Sequence, residues 1–232
     1  MTHIPAHVSI IPDGNRRWAK LQLKALRDGY AGGADNVLQI IEAAQELGIK
    51  HLSFFGWSTE NWKRGSIEAS VFFNLFEEYL RKNVQKLLRN SIRFRSIGHI
   101  DLLPPPLIQA IKECEEITKN CTGLDLVFAM NYGGRDELLR SIKKIALAAK
   151  NGQLEPETLT EKEISRYLDT HDLPDPDLII RTSGEKRISN FLLWQSCYAE
   201  FFVSDDLWPN FSPRHLVNAL VDYQNRSRRA GG

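Results

Sequence analysis

The sequence predicts an α/β domain: a mostly parallel central sheet flanked by helices. Two observations predict it. Short runs of β-branched and aromatic residues alternate with longer segments whose apolar positions recur at helical spacing. No Gly/Ser linker, repeat or low-complexity stretch divides the 232 residues, so residues 1–232 read as one domain. Repeated β-then-α units bury both faces of a sheet, which makes its strands near-continuous apolar runs.

The first strand is Val8 to Ile11, which Pro12 ends because proline offers no N–H to a ladder. Asp13, Gly14 and Asn15 then form a turn, followed by Arg16, Arg17 and Trp18. After a glycine-rich turn, Gly29 to Gly33, the positions Val37, Ile40, Ile41, Ala44 and Leu47 keep a helical period, closed by Gly48. Leu52, Phe54 and Phe55 mark a second strand that runs into a polar loop, Ser58 to Gly65. Glu68 to Arg89 is a long helix with an aromatic-rich apolar face: Phe72, Phe76 and Tyr79 beside Val71, Leu75, Leu80, Val84 and Leu87. Ile92 to Ile97 makes a third strand, and Pro104 to Pro106 opens the next helix where a missing N–H costs least.

Leu124 to Ala129 is a further strand and Asn131 to Arg135 a turn, leading into a helix with Leu138, Leu139, Ile142, Ile145 and Ala149 on its apolar face. Asn151-Gly152 ends it. Thr160 with Glu163 signals a capping box for a short helix. Leu178 to Ile180 is a buried strand ending at Arg181, Phe201 to Val203 an edge strand, and Ser212-Pro213 opens a last helix that runs to a basic tail.

Composition excludes several classes. With 30 basic against 29 acidic residues the net charge is +1, which argues against bulk attraction to nucleic acid, so anions must be caught by local clusters. Cys114, Cys121 and Cys197 form no C-x-x-C pair and the six histidines show no zinc spacing, so reduced thiols, a cytoplasmic setting and no structural zinc are expected. The N-terminus lacks a basic-then-apolar leader, and no run approaches the ~18 apolar residues of a spanning helix.

Three polar clusters follow predicted strands: Asp13 to Trp18, Ser58 to Arg64, and Arg181 to Asn190. In a parallel sheet those strand ends share one edge, where open α/β sheets bind ligands. A lone carboxylate among arginines can hold magnesium while the guanidiniums fork onto phosphate oxygens. Taken alone, each cluster reads more readily as a solvated loop than as a site. Their convergence suggests a magnesium-bound phosphate ester.

The stretches HVSIIPDGNRRWAK, FFGWSTENWKR, NYGGRDEL, PDLIIRTSGEKRISNFLLWQ and YAEFFVSDDLWPNF resemble, in order, the motif regions of the cis-prenyltransferases, the undecaprenyl diphosphate synthase family. The resemblance spans nearly the whole chain. It implies an enzyme that elongates an allylic diphosphate, usually farnesyl diphosphate, with isopentenyl diphosphate units. It also implies magnesium, a homodimer, an apolar product tunnel, and delivery of product to the membrane by a cytoplasmic or peripherally bound protein.

Carried over residue by residue, Asp13 steers magnesium and pyrophosphate release, while Gly14, Asn15, Arg16, Arg17 and Trp18 surround the allylic diphosphate. Ser58, Thr59, Glu60, Trp62 and Arg64 match a loop that closes over substrate. Asn61 matches the residue assigned as proton acceptor, although an amide is a very poor base and pyrophosphate or water is the better acceptor. Arg181, Arg187, Ile188 and Ser189 hold the isopentenyl diphosphate, and Glu200 completes the magnesium site from the partner subunit. Phe72, Phe76, Tyr79, Leu80, Leu87 and Leu124 are candidates for the tunnel wall, with core packing as the alternative. No extra segment lengthens the region between Glu68 and Ile92, so the implied product is no longer than the undecaprenyl class. The tail Arg229-Ala230-Gly231 resembles an R-x-G segment that reaches across the dimer to the isopentenyl diphosphate.

Some positions depart from the family pattern. Tyr30 stands where histidine is usual, which exchanges a phosphate contact for a neutral hydroxyl; Leu26 stands for an arginine, Pro12 for methionine, Arg16 for a small residue, His99 for aspartate and Lys186 for histidine. Two alternatives are an irregular short-chain prenyl diphosphate synthase and a non-catalytic partner subunit. The presence of Asp13, Asn15, Arg17, Arg181 and Arg187 opposes the second, and the intact Ser58 to Arg64 and Arg187 to Ser189 stretches oppose the first.

Overall fold

The computed structural model describes residues 4–226. Its strands are His7–Ile11 (β1), His51–Ser58 (β2), Arg93–Ile97 (β3), Asp125–Tyr132 (β4), Leu178–Arg181 (β5) and Glu200–Val203 (β6), in the sheet order β3-β4-β2-β1-β5-β6. Every pairing is parallel, so the sheet is wholly rather than mostly parallel. The helices are Asn15–Leu21 (α1), Leu26–Glu46 (α2), Ser66–Arg89 (α3), Pro105–Thr118 (α4), Gly134–Lys150 (α5), Glu161–Ser165 (α6) and Pro213–Asn225 (α7).

Alternate strand residues point to opposite faces. Val8, Ile10, Leu52, Phe54, Leu178 and Ile180 join the larger core with Ile40, Phe73, Ile111 and Leu216 from α2, α3, α4 and α7. Ile11, Val127, Ala129 and Ile179 face a smaller core closed by Phe191 and Leu192. The strand leaving β1 leads to β2 on one side, and β5 leads to β6 on the other. Their loops therefore diverge between adjacent strands, and a crevice opens at that switch point.

Three segments differ from the sequence expectation. Gly29 to Gly33 lies inside α2 rather than in a turn. The glycines are there for close approach: a Cβ on Gly29 would lie 2.4 Å from the Asn15 carbonyl oxygen, and one on Gly33 2.3 Å from Asn15 Oδ1. β4 continues through Asn131 and Tyr132, where a turn was expected, because the Tyr132 side chain is wholly buried in the second core.

α5 also departs in part from its expected apolar face, of which Leu138, Ile145 and Ala149 are half-buried. It buries Glu137 and Ser141 and exposes Leu139, Ile142 and Leu147. The buried carboxylate accepts from Tyr132 Oη at 2.6 Å, Gln195 Nε2 at 3.0 Å and the Asp169 N–H at 3.0 Å. Ser141 donates to the Tyr167 carbonyl at 2.9 Å. The Glu137 carboxylate and the Ser141 hydroxyl thus have the partners that burial demands, while Gln195 Oε1 is buried without one. Leu139, Ile142 and Leu147 are left facing outward.

Candidate active site

Asp13 leaves β1 two residues after Ile11, beside the end of β5. Its N–H donates to Thr182 Oγ1 at 2.8 Å, its carbonyl accepts from the same hydroxyl at 2.7 Å, and the Trp208 N–H donates to that carbonyl at 2.9 Å. This fixes the turn to the neighbouring strand end. Arg181 Nη2 donates to Asp13 Oδ2 at 2.9 Å, while Nη1 donates to the Arg187 carbonyl and to Ser189 Oγ. Arg181 is 4% exposed and has these three partners within the chain. It is a buried post that holds Asp13 and the 187–189 segment in register. That segment is tightly turned: Ser183, Ser189, Asn190 and Leu192 have positive φ, a conformation concentrated at functional loops.

Gly14 precedes α1 with φ 109°, and a Cβ there would lie 2.4 Å from Ser183 Oγ and 3.1 Å from Leu207 Cα. Only glycine lets α1 start this close to β5. The first turn of α1 then carries two guanidiniums outward. Arg17 donates to the Ser183 carbonyl at 3.3 Å and pairs with Glu185 at 3.1 Å, and Arg187 pairs with the same carboxylate. Arg187 and Arg17 together hold the Glu185 carboxyl below the usual carboxylate range.

The opposite side of the mouth is the 3₁₀ segment Thr59–Arg64, capped by reciprocal contacts between Ser58 and Asn61. Glu60 accepts from Asn190 Nδ2 at 2.8 Å, which ties this segment to the loop after β5. Burial pushes its carboxyl up, but hydrogen bonds from its own N–H, Asn190, Ser58 and Thr59 outweigh that and hold it low. Behind the segment, Glu68 is 5% exposed and gathers Tyr30 Oη at 2.6 Å, Arg64 at 3.2 Å and Arg16 at 3.3 Å. Burial, then the Glu68 carboxylate, pushes the Tyr30 phenol far up, so it stays a neutral donor.

These groups surround a cavity of about 870 Å³. Six arginines line it (Arg16, Arg17, Arg64, Arg135, Arg181 and Arg187) against three carboxylates, Asp13, Glu60 and Glu185. The remainder of the lining is largely apolar, from Val37, Phe54, Phe72, Leu75, Phe76, Phe128 and Trp208. A positive field in a low-dielectric cleft concentrates anions, and the apolar walls suit a hydrocarbon. The arrangement matches an amphiphile with an anionic head.

Of the sequence-predicted site residues, Asp13, Gly14, Asn15, Arg16, Arg17, Tyr30, Ser58, Glu60, Asn61, Arg64, Arg181, Arg187 and Ser189 line this one cavity. Trp18, Thr59, Trp62 and Ile188 are not in its lining. Trp18 donates instead to Asn210 Oδ1 at 2.9 Å and Trp62 to Asn131 Oδ1 at 2.7 Å. Glu200 starts β6, at the sheet edge opposite Asp13, and pairs with Arg226 at 2.7 Å. Within one chain it does not meet Asp13. Arg229 to Gly232 lie outside the described residues.

The tunnel-wall candidates divide between cavity and core. Phe72 and Phe76 line the cavity, but Leu80, Leu87 and Leu124 belong to the core, and Tyr79 donates to Asp35 Oδ1 at 2.7 Å. On a helix the cavity face and the core face differ by a fraction of a turn, which spacing alone does not separate. Sequence reasoning passed over Glu68, Arg135, Glu185, Asn190 and Trp208 as site residues. Arg135 and Glu185 fell inside the quoted motifs, whereas Glu68 gave only the ordinary signal of an acid in a helix's first turn.

Among the described residues no group of three or more His, Cys, Asp or Glu side chains converges as a metal cage. Asp13 offers one carboxylate, engaged through Oδ2 by Arg181. That donor set fits magnesium, which is often bound by one or two carboxylates with substrate phosphates completing the shell. It does not fit a resident metal held by protein alone. Among the described residues no helix is long and apolar enough to cross a membrane.

Residues 11–231 match the family model described as putative undecaprenyl diphosphate synthase. The chain is 45% identical to an isoprenyl transferase of Staphylococcus saprophyticus, over 99% of this chain and 91% of that one. It is also 45% identical to an isoprenyl transferase of Chlamydia abortus, over 100% and 94%. Among solved structures, lavandulyl diphosphate synthase from Lavandula x intermedia, in complex with dimethylallyl diphosphate, superposes with TM-score 0.97 at 36% identity, covering 99% of each chain. A probable undecaprenyl diphosphate synthase from Campylobacter jejuni gives 0.82 at 33% identity, covering 100% of each. A matching model over nearly the whole length, with relatives of this identity on the same fold, places the enzyme among the cis-prenyltransferases: the chain belongs to the undecaprenyl diphosphate synthase family of isoprenyl transferases.

Proposed function

We propose that this enzyme catalyses magnesium-dependent cis-prenyl chain elongation, condensing an allylic diphosphate, farnesyl diphosphate in the first instance, with isopentenyl diphosphate. The observation that carries this reading is the single cavity with an arginine-lined mouth and an aromatic, apolar body. Two diphosphate heads need this density of guanidinium, and a growing polyprenyl chain needs the apolar body. Phe72 and Phe76 begin the path for that chain, and the product is undecaprenyl diphosphate or shorter.

Arg16, Arg17 and Asn15 bind and orient the allylic diphosphate beside Asp13. Arg187 and Ser189 bind the isopentenyl diphosphate, with Arg181 holding both their segment and Asp13 in place. Magnesium, when bound through Asp13 and the diphosphate, supplies Lewis-acid stabilisation of the leaving pyrophosphate. The arginines stabilise the same developing negative charge. The apolar walls exclude water from the allylic cation, and the isopentenyl double bond attacks it. A proton then leaves the condensed chain; pyrophosphate is its acceptor, and the Asn61 amide positions rather than accepts.

The functional unit is a homodimer. The outward Leu139, Ile142 and Leu147 support this, since apolar side chains exposed together on one helix suit burial against a second copy. Glu200 then reaches the partner's site.

A second reading is favoured by two observations: a tyrosine bound to Glu68 replaces the usual histidine, and the chain superposes tightly on a lavandulyl diphosphate synthase. On that reading two dimethylallyl units are joined by an irregular carbon connection. Incubation with magnesium and either farnesyl plus isopentenyl diphosphate or dimethylallyl diphosphate alone, followed by mass analysis, decides between them. Products growing in five-carbon steps establish elongation. A ten-carbon branched product from dimethylallyl diphosphate alone would establish the second reading.

A further inference from the structure

α1 ends at Leu21 and the chain reverses through residues 22–25 before α2. The Leu23 N–H donates to the Lys20 carbonyl at 3.2 Å and the Lys24 N–H to the Ala19 carbonyl at 2.9 Å. This pair is a Schellman motif, whose C′ residue is left-handed and usually glycine. The same pair closes α2 on Gly48 and α5 on Gly152. At the end of α1 the residue is Leu23, with φ 52° and 96% exposure.

Both features are unfavourable for the fold. A side chain in the left-handed region crowds the following carbonyl, and a leucine left in water gains nothing from burial. Glycine does the same work at two other helix ends of this chain and Ser91, with φ 54°, at the end of α3. What sets Leu23 apart is that the left-handed position carries a large apolar side chain held in water.

Its surroundings identify the chemistry. Leu21 is exposed beside it. Of the five cations in residues 16–28, Arg16 pairs with Glu68, Arg17 with Glu185 and Arg27 with Glu78. Lys20 and Lys24, which flank Leu21 and Leu23, have no ion pair among the described residues; Lys24 lies over the Trp18 ring, 4.9 Å from its centroid. Two lysines thus stand beside an exposed apolar tip. A specific protein interface needs roughly 800 Å² per partner, more than two or three side chains on a turn supply. Exposed leucines flanked by lysines suit the headgroup and acyl boundary of an anionic bilayer.

We propose that the α1–α2 turn is a membrane-docking knuckle, in which Leu21 and Leu23 enter the acyl boundary of an anionic bilayer while Lys20 and Lys24 meet lipid phosphates. α1 also carries Arg16 and Arg17 at the cavity mouth, little more than one helical turn before Leu21. The inference rests on the proposed function only in that a polyprenyl product belongs in a membrane; vesicle binding is measured without turnover.

The test is co-sedimentation of the full chain with vesicles of phosphatidylcholine alone and of equal parts phosphatidylcholine and phosphatidylglycerol. Wild type should sediment with the anionic vesicles and be released by high salt. Leu23→Gly should lower partitioning severalfold while holding or raising the melting temperature, because it relieves the left-handed leucine. Leu21→Gln with Leu23→Gly should lower it tenfold or more, and Lys20→Gln with Lys24→Gln should remove the preference for anionic lipid. Turnover of short soluble substrates should be unchanged in Leu23→Gly. Wild type remaining in the supernatant with both vesicles, or Leu23→Gly sedimenting like wild type, overturns the proposal. So does a change of oligomeric size in Leu23→Gly, which would make the knuckle a protein contact. Absence of prenyl transfer with intact vesicle binding overturns the proposed function and leaves the knuckle standing.

Discussion

The Tyr30 phenol donates to Glu68 Oε1 at 2.6 Å, and the same buried carboxylate takes Arg64 and Arg16 from two other elements. Glu68 is thus a hub joining α1, α2, α3 and the segment before α3. Tyr30→Phe removes the one neutral donor and leaves a buried acceptor short of a partner, which costs about 1–3 kcal/mol. Urea denaturation should show that loss. In Tyr30→Phe with Glu68→Gln the two losses should sum to less than their separate values. Strict additivity would mean that the hydrogen bond contributes nothing.

Asp13→Ala should lower turnover by at least about a hundredfold, the effect of removing one group aimed at developing charge. A turn carboxylate at a strand end suggests no cost to the fold, but the pair with buried Arg181 revises that. Breaking a buried pair costs about 3–5 kcal/mol; Asp13 is partly solvated, so a smaller loss of about 1–2 kcal/mol is expected. Asp13→Asn keeps an acceptor for Arg181 and should recover stability without turnover. Equal melting temperatures for wild type and the alanine variant would show that Arg181 is held by Arg187 and Ser189 alone.

The strands, the long helices and the convergence of three loops were legible because each rests on local pattern: β-branched runs, helical periods, and turn residues at strand ends. Gly29 to Gly33 was misread because glycine signals both turns and close packing, and only the position of Asn15 and Ala19 beside α2 distinguishes them. Glu137 and Ser141 were hidden for a related reason. Their burial depends on Tyr132, Tyr167 and Gln195, which lie near them in space and, for the last two, far away in sequence. Arg181 looked like a ligand for phosphate, and its commitment to Asp13 becomes visible only when β1 and β5 are adjacent.

Gly29→Ala tests the packing argument against helix propensity. Alanine is the better helix former by about 1 kcal/mol, but its Cβ would meet the Asn15 carbonyl at 2.4 Å and Ala19 Cβ at 2.9 Å. Backbone cannot yield there without moving α1, so a net loss of stability and a rise in the Michaelis constant for the allylic diphosphate are expected. An increase in melting temperature would show that α1 moves freely.

His7 gives the pH dependence. It is wholly buried, its Nδ1–H donates to the Pro174 carbonyl at 2.7 Å, and its Nε2 accepts from Ser53 Oγ at 2.7 Å. Burial lowers its pKa from 6.5 to about 4. The unfolded chain therefore binds the proton first. The contribution is fully present above pH 6.5 and is lost as pH falls toward about 4, by up to roughly 3 kcal/mol. Unfolding free energy measured across that window should fall with acid, and His7→Gln should flatten part of the slope. An unchanged slope would assign acid sensitivity to carboxylates instead.

The exposed stripe of α5 and the position of Glu200 lead to a test of the dimer and of its shared site. Leu139, Ile142 and Leu147 lie outward on one helix whose buried face carries the hydrogen-bonded Glu137 and Ser141. Ile142→Asp should shift sedimentation from dimer to monomer with little effect on the polar network. Glu200 starts β6 at the edge opposite Asp13, so one chain cannot bring the two carboxylates together. If the partner's Glu200 serves the Asp13 site, Asp13→Ala and Glu200→Ala should each be inactive alone. Mixed and reassociated, half of the dimers combine the two variants. In each, one site carries both defects and the other carries none. Activity should then return to about a quarter of wild type. A mixture as inactive as its components, with exchange of subunits verified, would place Glu200 outside the site and leave its pair with Arg226 as a structural contact.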